Sequence, residues 1–235
     1  MKQFIILIGN YGSGKTEIAM NFALNAAKTG KTLLIDLDMI NTYFRLSDRR
    51  DLFEDTGVEM IAPNFANSGV EMLTVPAEIA KAFDMDWDTV IFDLGGDTGA
   101  AALGQYHNKL ELARSKGDEV RLYNVVNTNR PMAGTPEKLL RLMENMQRKA
   151  RWDVTGFIHN TNMSYETTPA DLEAGYSIVK EASERSGVPV LYTAGKREVL
   201  DAFLAGAHDP KFVGEPLYLE TYMHRDWDTL TKKGV

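Results

Sequence analysis

Eight consecutive residues near the N-terminus have the types and spacing of a phosphate-binding loop. They follow the pattern G-x-x-x-x-G-K-[ST] and read Gly9, Asn10, Tyr11, Gly12, Ser13, Gly14, Lys15 and Thr16. The glycines let the backbone turn tightly enough to direct successive N–H groups at a phosphate, and the N-terminus of a following helix favours an anion. In this motif the lysine contacts the β- and γ-phosphates and the hydroxyl binds Mg²⁺. The loop therefore predicts a nucleoside di- or triphosphate as ligand.

A second pattern supplies a carboxylate for the same ion. Asp93 follows the apolar run Val90-Ile91-Phe92 and begins a D-x-x-G sequence that ends at Gly96. Mg²⁺ keeps several waters, so a hydroxyl, one carboxylate and the phosphates are enough to hold it. We therefore predict Thr16 and Asp93 as the metal-site residues, and we expect the backbone N–H of Gly96 to approach a γ-phosphate.

A third pattern completes a recognisable order. The apolar strand Leu33-Leu34-Ile35 delivers the D-x-D pair Asp36 and Asp38, and a later strand ends at Asn160. Phosphate loop, D-x-D, D-x-x-G and strand-end Asn together resemble the MinD/ParA group of P-loop ATPases, in the SIMIBI class, over about residues 1–205. The resemblance implies ATP and Mg²⁺ as cofactors, a role for Asp38 in orienting the attacking water or its loop, and recognition of adenine by Asn160.

The chain departs from that group at Asn10. Members that dimerise on ATP usually have a lysine early in the loop, which reaches the nucleotide of the partner, and a neutral amide cannot stabilise a leaving phosphate in the same way. Either Arg45, Arg49 or Arg50 substitutes, or hydrolysis is slow and differently controlled. A solvated polar loop is an equally good interpretation of these arginines.

Two related classes fit the sequence less well. The nitrogenase iron protein and the Mrp-type cluster carriers rely on cysteines, and this chain has none. The guanine-reading N-K-x-D pattern does not occur, although Asn127-Thr128-Asn129-Arg130 lies at a strand end. We therefore favour adenine over guanine, and we leave open whether the stretch from Asn127 to Arg130 contacts a ligand or only forms a turn.

The elements that must position these residues alternate between strand and helix. Predicted strands cover 3–8, 32–37, 58–61, 88–93, 119–126, 153–159 and 188–192, and predicted helices cover 16–29, 76–83, 100–115, 136–150 and 169–186. This order predicts an α/β protein with a mostly parallel, doubly wound sheet, helices on both faces and a P-loop NTPase fold. Ligands of such folds bind at the carboxyl ends of the strands.

Composition sets the remaining limits. The 235 residues are 44% hydrophobic and 25% charged, which suits a single domain over 1–235, with 205–235 as a C-terminal extension of unclear role. No apolar run is long enough to cross a membrane, so we expect a cytoplasmic protein without membrane insertion. The formal charge of −7 argues against broad nucleic-acid binding.

These patterns together predict an Mg²⁺-dependent ATPase that works as a nucleotide-controlled switch, with Lys15 and Asp38 as its catalytic residues. The partner is an unidentified protein or a second copy in a homodimer. Two alternatives stay open: an ATP-dependent small-molecule kinase or ligase on the same fold, and a nucleotide-binding module with negligible turnover, which Asn10 suggests.

Overall fold

The protein is built around one parallel sheet. The computed structural model describes residues 1–38, 46–62 and 77–223. The strands are β1 (Gln3–Ile8), β2 (Thr32–Leu37), β3 (Val58–Ile61), β4 (Thr89–Leu94), β5 (Glu119–Val126), β6 (Gly156–His159), β7 (Val190–Gly195) and β8 (Glu215–Tyr218). They pair in the order β3-β2-β4-β1-β5-β6-β7-β8, and every pairing is parallel.

Helices connect these strands. They are α1 (Lys15–Ala26), α2 (Lys81–Asp84), α3 (Gly96–Gly104), α4 (His107–Ser115), α5 (Pro136–Ala150), α6 (Pro169–Ser186) and α7 (Arg197–Leu204). Short 3-10 helices lie at Leu46–Phe53, Ala77–Ala80, Ser164–Glu166 and Pro210–Phe212.

The sheet is covered on both faces, as the strand sequences require. All six residues of β2 and all six of β4 are buried, which is typical of central parallel strands. Alternate residues of each strand point to opposite faces. Thus Ile6, Leu33 and Phe92 pack with side chains of α3 to α6, whereas Leu7, Leu34 and Ile91 pack with α1. The predicted doubly wound α/β architecture is confirmed.

Several predicted boundaries match the structure. The strands predicted at 3–8, 32–37, 58–61 and 119–126 and the helices predicted at 136–150 and 169–186 have those bounds. The last two helices carry strong start signals, since Thr135 precedes Pro136 and Thr168 precedes Pro169. The hydroxyl of Thr135 accepts from the N–H of Lys138, and Thr168 forms a capping box with Asp171.

The helix predicted over 100–115 is wrong, because the structure has two helices there. The chain turns at Gln105 and Tyr106, and the ring of Tyr106 stacks on Phe83 with 5.8 Å between centroids. The turn lets α3 approach α5 so closely that a Cβ at Gly104 would overlap the carbonyl of Lys149. The spacing of apolar residues over 100–115 cannot reveal this break, because it stays helical on both sides of the turn.

Other elements differ by a few residues. Helix α1 spans Lys15–Ala26 instead of 16–29, and the strands predicted at 88–93, 153–159 and 188–192 become β4, β6 and β7. The helix predicted at 76–83 is a 3-10 turn followed by the short α2, with residue 76 outside the described part. The sequence did not predict α7, and β8 occupies Glu215–Tyr218 within the C-terminal extension whose role the sequence left unclear. Because the described part ends at residue 223, one domain over 1–235 stays a prediction.

Candidate functional site

The predicted site residues come together at the carboxyl edge of the sheet. The neighbouring strands β1 and β5 connect in opposite directions along the sheet, β1 to β2 on one side and β5 to β6 on the other. A crevice forms at such a switch point. The loop of residues 9–14 follows β1, Asp93 lies near the end of β4, and Asn160 follows β6, so each enters this crevice from a different strand.

The glycine loop has a backbone that other residues would not adopt easily. Gly12 and Gly14 have φ values of +70° and +88°, and a Cβ at Gly14 would overlap the amide of Asn160. The left-handed region carries a steric cost for any residue with a Cβ, so these positions require glycine. The loop ends at the N-terminus of α1, where the first N–H groups of a helix lack partners within the helix and favour an anion.

Lys15 folds back over this loop. Its ammonium donates to the carbonyls of Gly9 and Asn10 at 3.1 and 3.0 Å, and the residue is 6% exposed. Burial lowers the pKa of Lys15, while the nearby carboxylates of Asp93 and Asp38 act to raise it. A buried cation whose described hydrogen bonds go to neutral carbonyl oxygens is a strong binding group for phosphate oxygens.

Thr16 and Asp93 form a direct pair. The hydroxyl of Thr16 donates to Oδ2 of Asp93 at 2.7 Å, and Oδ1 of Asp93 is buried with no hydrogen-bond partner in the described part of the chain. Burial raises the pKa of Asp93, although Lys15 and Thr16 oppose that shift. A hydroxyl oxygen beside an unpartnered carboxylate oxygen is the hard donor set that Mg²⁺ takes, so these residues fit the predicted ion.

Asp36 and Asp38 lie next to this pair. Asp36 is opposite Asp93 in the register of β2 and β4, and its Oδ1 accepts from the N–H of Asp38 at 2.8 Å. Burial, the charge of Asp93 and the charge of Asp38 all raise the pKa of Asp36. The carboxylate of Asp38 lies against Gly95, where it leaves no room for a Cβ. The end of β2 therefore touches the D-x-x-G loop.

Side chains from the far half of the sheet brace the phosphate loop. The amide of Asn160 donates to the carbonyl of Ser13 at 2.8 Å, and Nδ2 of Asn127 and Nε of Arg130 donate to the carbonyl of Gly12 at 3.3 and 3.0 Å. Asn127 and Asn160 are buried. The stretch from Asn127 to Arg130, whose role the sequence left open, therefore contacts the phosphate loop.

A cavity of about 450 Å³ opens beside Gly14 and extends toward β7. Ligand pockets commonly have roughly 300–1,000 Å³, so this one suits a small molecule. Its lining mixes polar and apolar groups: Gly14, Glu17, Asn160, Thr161, Asn162, Ser164, Tyr165, Thr167, Ala194, Gly195, Lys196, Val199, Leu219 and Thr221. Gly14 belongs both to the phosphate loop and to the wall of this cavity.

The remaining predicted residues have mixed positions. Gly96 begins α3 with a φ of +50° and open space around it, and Tyr11 is 58% exposed. Arg49 donates to the carbonyl of Tyr222, and Arg50 is exposed. Arg45 lies outside the described residues.

Sequence reasoning missed one residue of this site. Glu17 follows the motif directly and lines the cavity, and its carboxylate accepts from the N–H groups of Tyr222 and Met223. An acidic residue in the first turn of a helix is common, since it complements the helix dipole. Its partners lie about 200 residues away in sequence, so no local pattern reveals this contact.

Two further features of the described residues bear on this site. Among residues 1–38, 46–62 and 77–223, no three His, Cys, Asp or Glu side chains are grouped as metal ligands. An ion held mainly through phosphates does not require such a group. Within the same ranges, none of the helices combines the length and the apolar character needed to span a bilayer.

Comparison with known proteins supports the fold. FtsY from Thermotoga maritima matches with a TM-score of 0.55 and 19% identity, over 90% of this chain and 67% of its own. FtsY from Mycoplasma mycoides matches with a TM-score of 0.53 and 18% identity, over 83% of this chain, which spans only 60% of that one. A nucleotide-binding protein in complex with ADP from Archaeoglobus fulgidus matches with a TM-score of 0.50 and 14% identity, over 95% and 94%.

No family model and no curated protein sequence matches this chain. At these identities the structural likeness shows the fold. These neighbours share the predicted P-loop NTPase fold, so the resemblance predicted from the motif order is confirmed at the level of the fold.

Proposed function

We propose that this protein is an Mg²⁺-dependent ATPase that acts as a nucleotide-controlled switch for an unidentified partner, either another protein or a second copy of the chain. One observation carries the proposal. The buried ammonium of Lys15 and the Thr16–Asp93 pair lie at the start of α1, beside a cavity that begins at Gly14. A polyphosphate and the base attached to it need such adjacent sites.

The phosphate end is assigned to the loop. In the proposed complex, Lys15 exchanges the carbonyls of Gly9 and Asn10 for phosphate oxygens, and the N–H groups of the loop and of α1 donate to the same phosphates. Thr16 and Asp93 would hold the ion, which supplies charge neutralisation on the β- and γ-phosphates. Asp38 would orient the water that attacks.

The base end is assigned to the cavity. Asn160 lines it while its amide nitrogen is held by Ser13, so the side chain is fixed in place. We assign adenine because the guanine-reading N-K-x-D pattern does not occur in the sequence. The cytoplasmic location predicted from the sequence stays a prediction.

The contact between Asp38 and Gly95 gives the switch a physical route. Gly96 would donate its N–H to a γ-phosphate, and movement of 95–96 toward that phosphate would displace the carboxylate of Asp38. Loss of the γ-phosphate would then reset both segments and change the surface offered to a partner.

The test is phosphate release from ATP in the presence of Mg²⁺. We expect turnover by the wild-type protein, a fall of about 100-fold or more in Lys15→Ala because transition-state charge loses its main cation, and a comparable fall in Asp38→Asn. Lys31→Ala is the matched control, since Lys31 is exposed at the start of β2, at the opposite edge of the sheet. Competition between ATP and GTP tests the base.

Three results would change the proposal. Equal turnover in wild type and Lys15→Ala, with thermal melting showing both folded, would contradict the role of the loop. Release that needs an added metabolite would favour the kinase or ligase alternative. Bound ATP that stays intact would favour a module without turnover.

A further inference from the structure

The last described residues, 219–223, run across the first half of α1, and we call them the C-terminal strap. The strap begins where the N–H of Leu219 donates to the carbonyl of Gly195 at 2.9 Å. Leu219 and Thr221 both line the cavity that begins at Gly14. One wall of this cavity therefore comes from a segment that follows the last strand of the sheet.

Two side chains of α1 hold the strap. Asn21 forms a reciprocal pair with Glu220, in which its Nδ2 donates to the carbonyl and its Oδ1 accepts from the N–H, both at 2.9 Å. Glu17 accepts from the N–H groups of Tyr222 and Met223. Residues four apart on a helix share one face, so Glu17 and Asn21 form a single docking stripe.

The carboxylate of Glu17 is committed to this contact. It is largely buried, and burial raises its pKa, while the two backbone N–H groups and the charges of Arg49 and Lys196 favour the ionised form. Hydrogen bonds to a charged acceptor are stronger than neutral ones, and a buried carboxylate that loses its donors is costly. The strap is thus fastened at a specific place and not merely packed against the helix.

The strap also contacts the segment that follows β2. The guanidinium of Arg49, in the 3-10 helix Leu46–Phe53, donates to the carbonyl of Tyr222. The element that precedes this 3-10 helix is β2, which contains Asp36 and ends just before Asp38. Tyr222 therefore bridges Glu17, at the cavity, and Arg49, in the 3-10 helix that follows β2.

We infer that the C-terminal strap is the closing wall of the nucleobase site, and that Glu17 is the positioning residue that holds it there. This inference rests on the proposed function and adds to it what retains the base end of the nucleotide. When Glu17 releases the strap, the base end opens to solvent while the phosphate loop keeps its own contacts. Opening of the strap also breaks the hydrogen bond between Arg49 and Tyr222, so base occupancy and the segment 46–53 change together.

The test is the dissociation rate of a fluorescent N-methylanthraniloyl derivative of ADP, measured by stopped flow with Mg²⁺. We expect dissociation about tenfold faster in Glu17→Gln, which keeps only one carbonyl oxygen for two donors, and a smaller increase in Asn21→Ala. Asn25→Ala is the matched control. Asn25 is exposed one turn further along the same stripe, and its side chain accepts a hydrogen bond from the exposed Lys28 instead of from the strap.

Inorganic tripolyphosphate separates the strap from the loop. It carries no base, so we expect its affinity, measured by calorimetry, to agree within about twofold between wild type and Glu17→Gln if only the base end depends on the strap. Wild-type dissociation rates in both Glu17→Gln and Asn21→Ala would overturn the inference while leaving the proposed function intact. A wild-type protein that retains no nucleotide would overturn both.

If the variants do not fold, hydrogen exchange measured on the wild-type protein tests the inference instead. We expect ADP with Mg²⁺ to slow exchange at the amides of Tyr222 and Met223 and within 46–53, because a closed strap protects them. Unchanged exchange at those amides, together with protection in the loop of residues 9–14, would contradict the role of the strap.

Discussion

Asp36 and Asp93 place two buried carboxyl groups side by side on neighbouring strands. Both are nearly inaccessible, at 4% and 1% exposure, and the register of β2 and β4 sets them opposite each other. Burial is the largest cause of the raised pKa of each group. Among the described residues, Thr16 and Lys15 favour the charge of Asp93, whereas the backbone N–H groups of Asp38 and Leu46 favour that of Asp36. Of the two carboxyl groups, Asp36 therefore has the more strongly raised pKa.

This arrangement predicts a pH-dependent stability. A carboxyl group with a raised native pKa stabilises the fold while it is protonated, and that contribution is lost as the pH rises from about 4 through its native pKa of about 8. Asp36→Asn keeps the acceptor oxygen and removes the titration. We expect the variant to exceed wild type in free energy of unfolding by about 1–3 kcal/mol at pH 8, with the difference shrinking toward pH 4.

Urea unfolding of nucleotide-free protein between pH 4 and 8 measures this difference. Glu54→Gln is the control, because Glu54 is exposed on the turn before β3. A difference between wild type and Asp36→Asn that stays constant across this range would show that folding does not raise the pKa of Asp36.

The phosphate loop is the element that sequence alone describes best. Its motif fixes the residue types, and the positive φ values at Gly12 and Gly14 follow from the geometry that the motif needs. The pairing of Thr16 with Asp93 was also predictable, since Thr16 begins the helix after the phosphate loop and Asp93 lies near the end of β4, both at the carboxyl edge of the parallel sheet. The braces from Asn127 and Arg130 were not, because 115 and 118 residues separate them from Gly12 and only the strand order brings them close.

A substitution at Gly14 tests the loop as an element. Gly14→Ala adds a Cβ at a φ of +88° and pushes against the amide of Asn160, so we expect a loss of stability of about 1–3 kcal/mol and at least a tenfold weaker binding of ATP. Gly57→Ala is matched to it, since Gly57 has a φ of +82° and nothing within 4 Å of an added Cβ.

Gly57→Ala should lose about 1 kcal/mol from backbone strain and bind ATP as wild type does. Thermal melting and calorimetric titration of the two variants separate these effects. Equal ATP affinity in Gly14→Ala and wild type would show that the backbone of the loop does not bind the phosphates.

At the scale of the whole molecule, the order of strands in the sheet brings the separate motifs together. It brings the ends of β1, β2, β4, β5, β6 and β7 to one crevice. The alternation of strands and helices in the sequence predicted the fold class in which such a crevice occurs. The same alternation did not predict the path of the chain after β7. The C-terminal strap reaches Glu17 from 205 residues away, and its polar contacts depend on helix α7 and strand β8, which are only 8 and 4 residues long.

The measurement that bears on the central claim is a calorimetric titration with ATP, performed with saturating Mg²⁺ and again with a chelator, on wild type, Asp93→Asn and Asp84→Asn. Asp84 is an exposed carboxylate that precedes β4 and serves as the control. We predict one ATP site per chain. Without Mg²⁺, the affinity for ATP should fall about tenfold or more in wild type and in Asp84→Asn, whereas chelation should change the affinity of Asp93→Asn little. If wild-type protein gave no binding heat and retained no ATP in dialysis, or if Asp93→Asn responded to Mg²⁺ as wild type does, the account of this site would be contradicted.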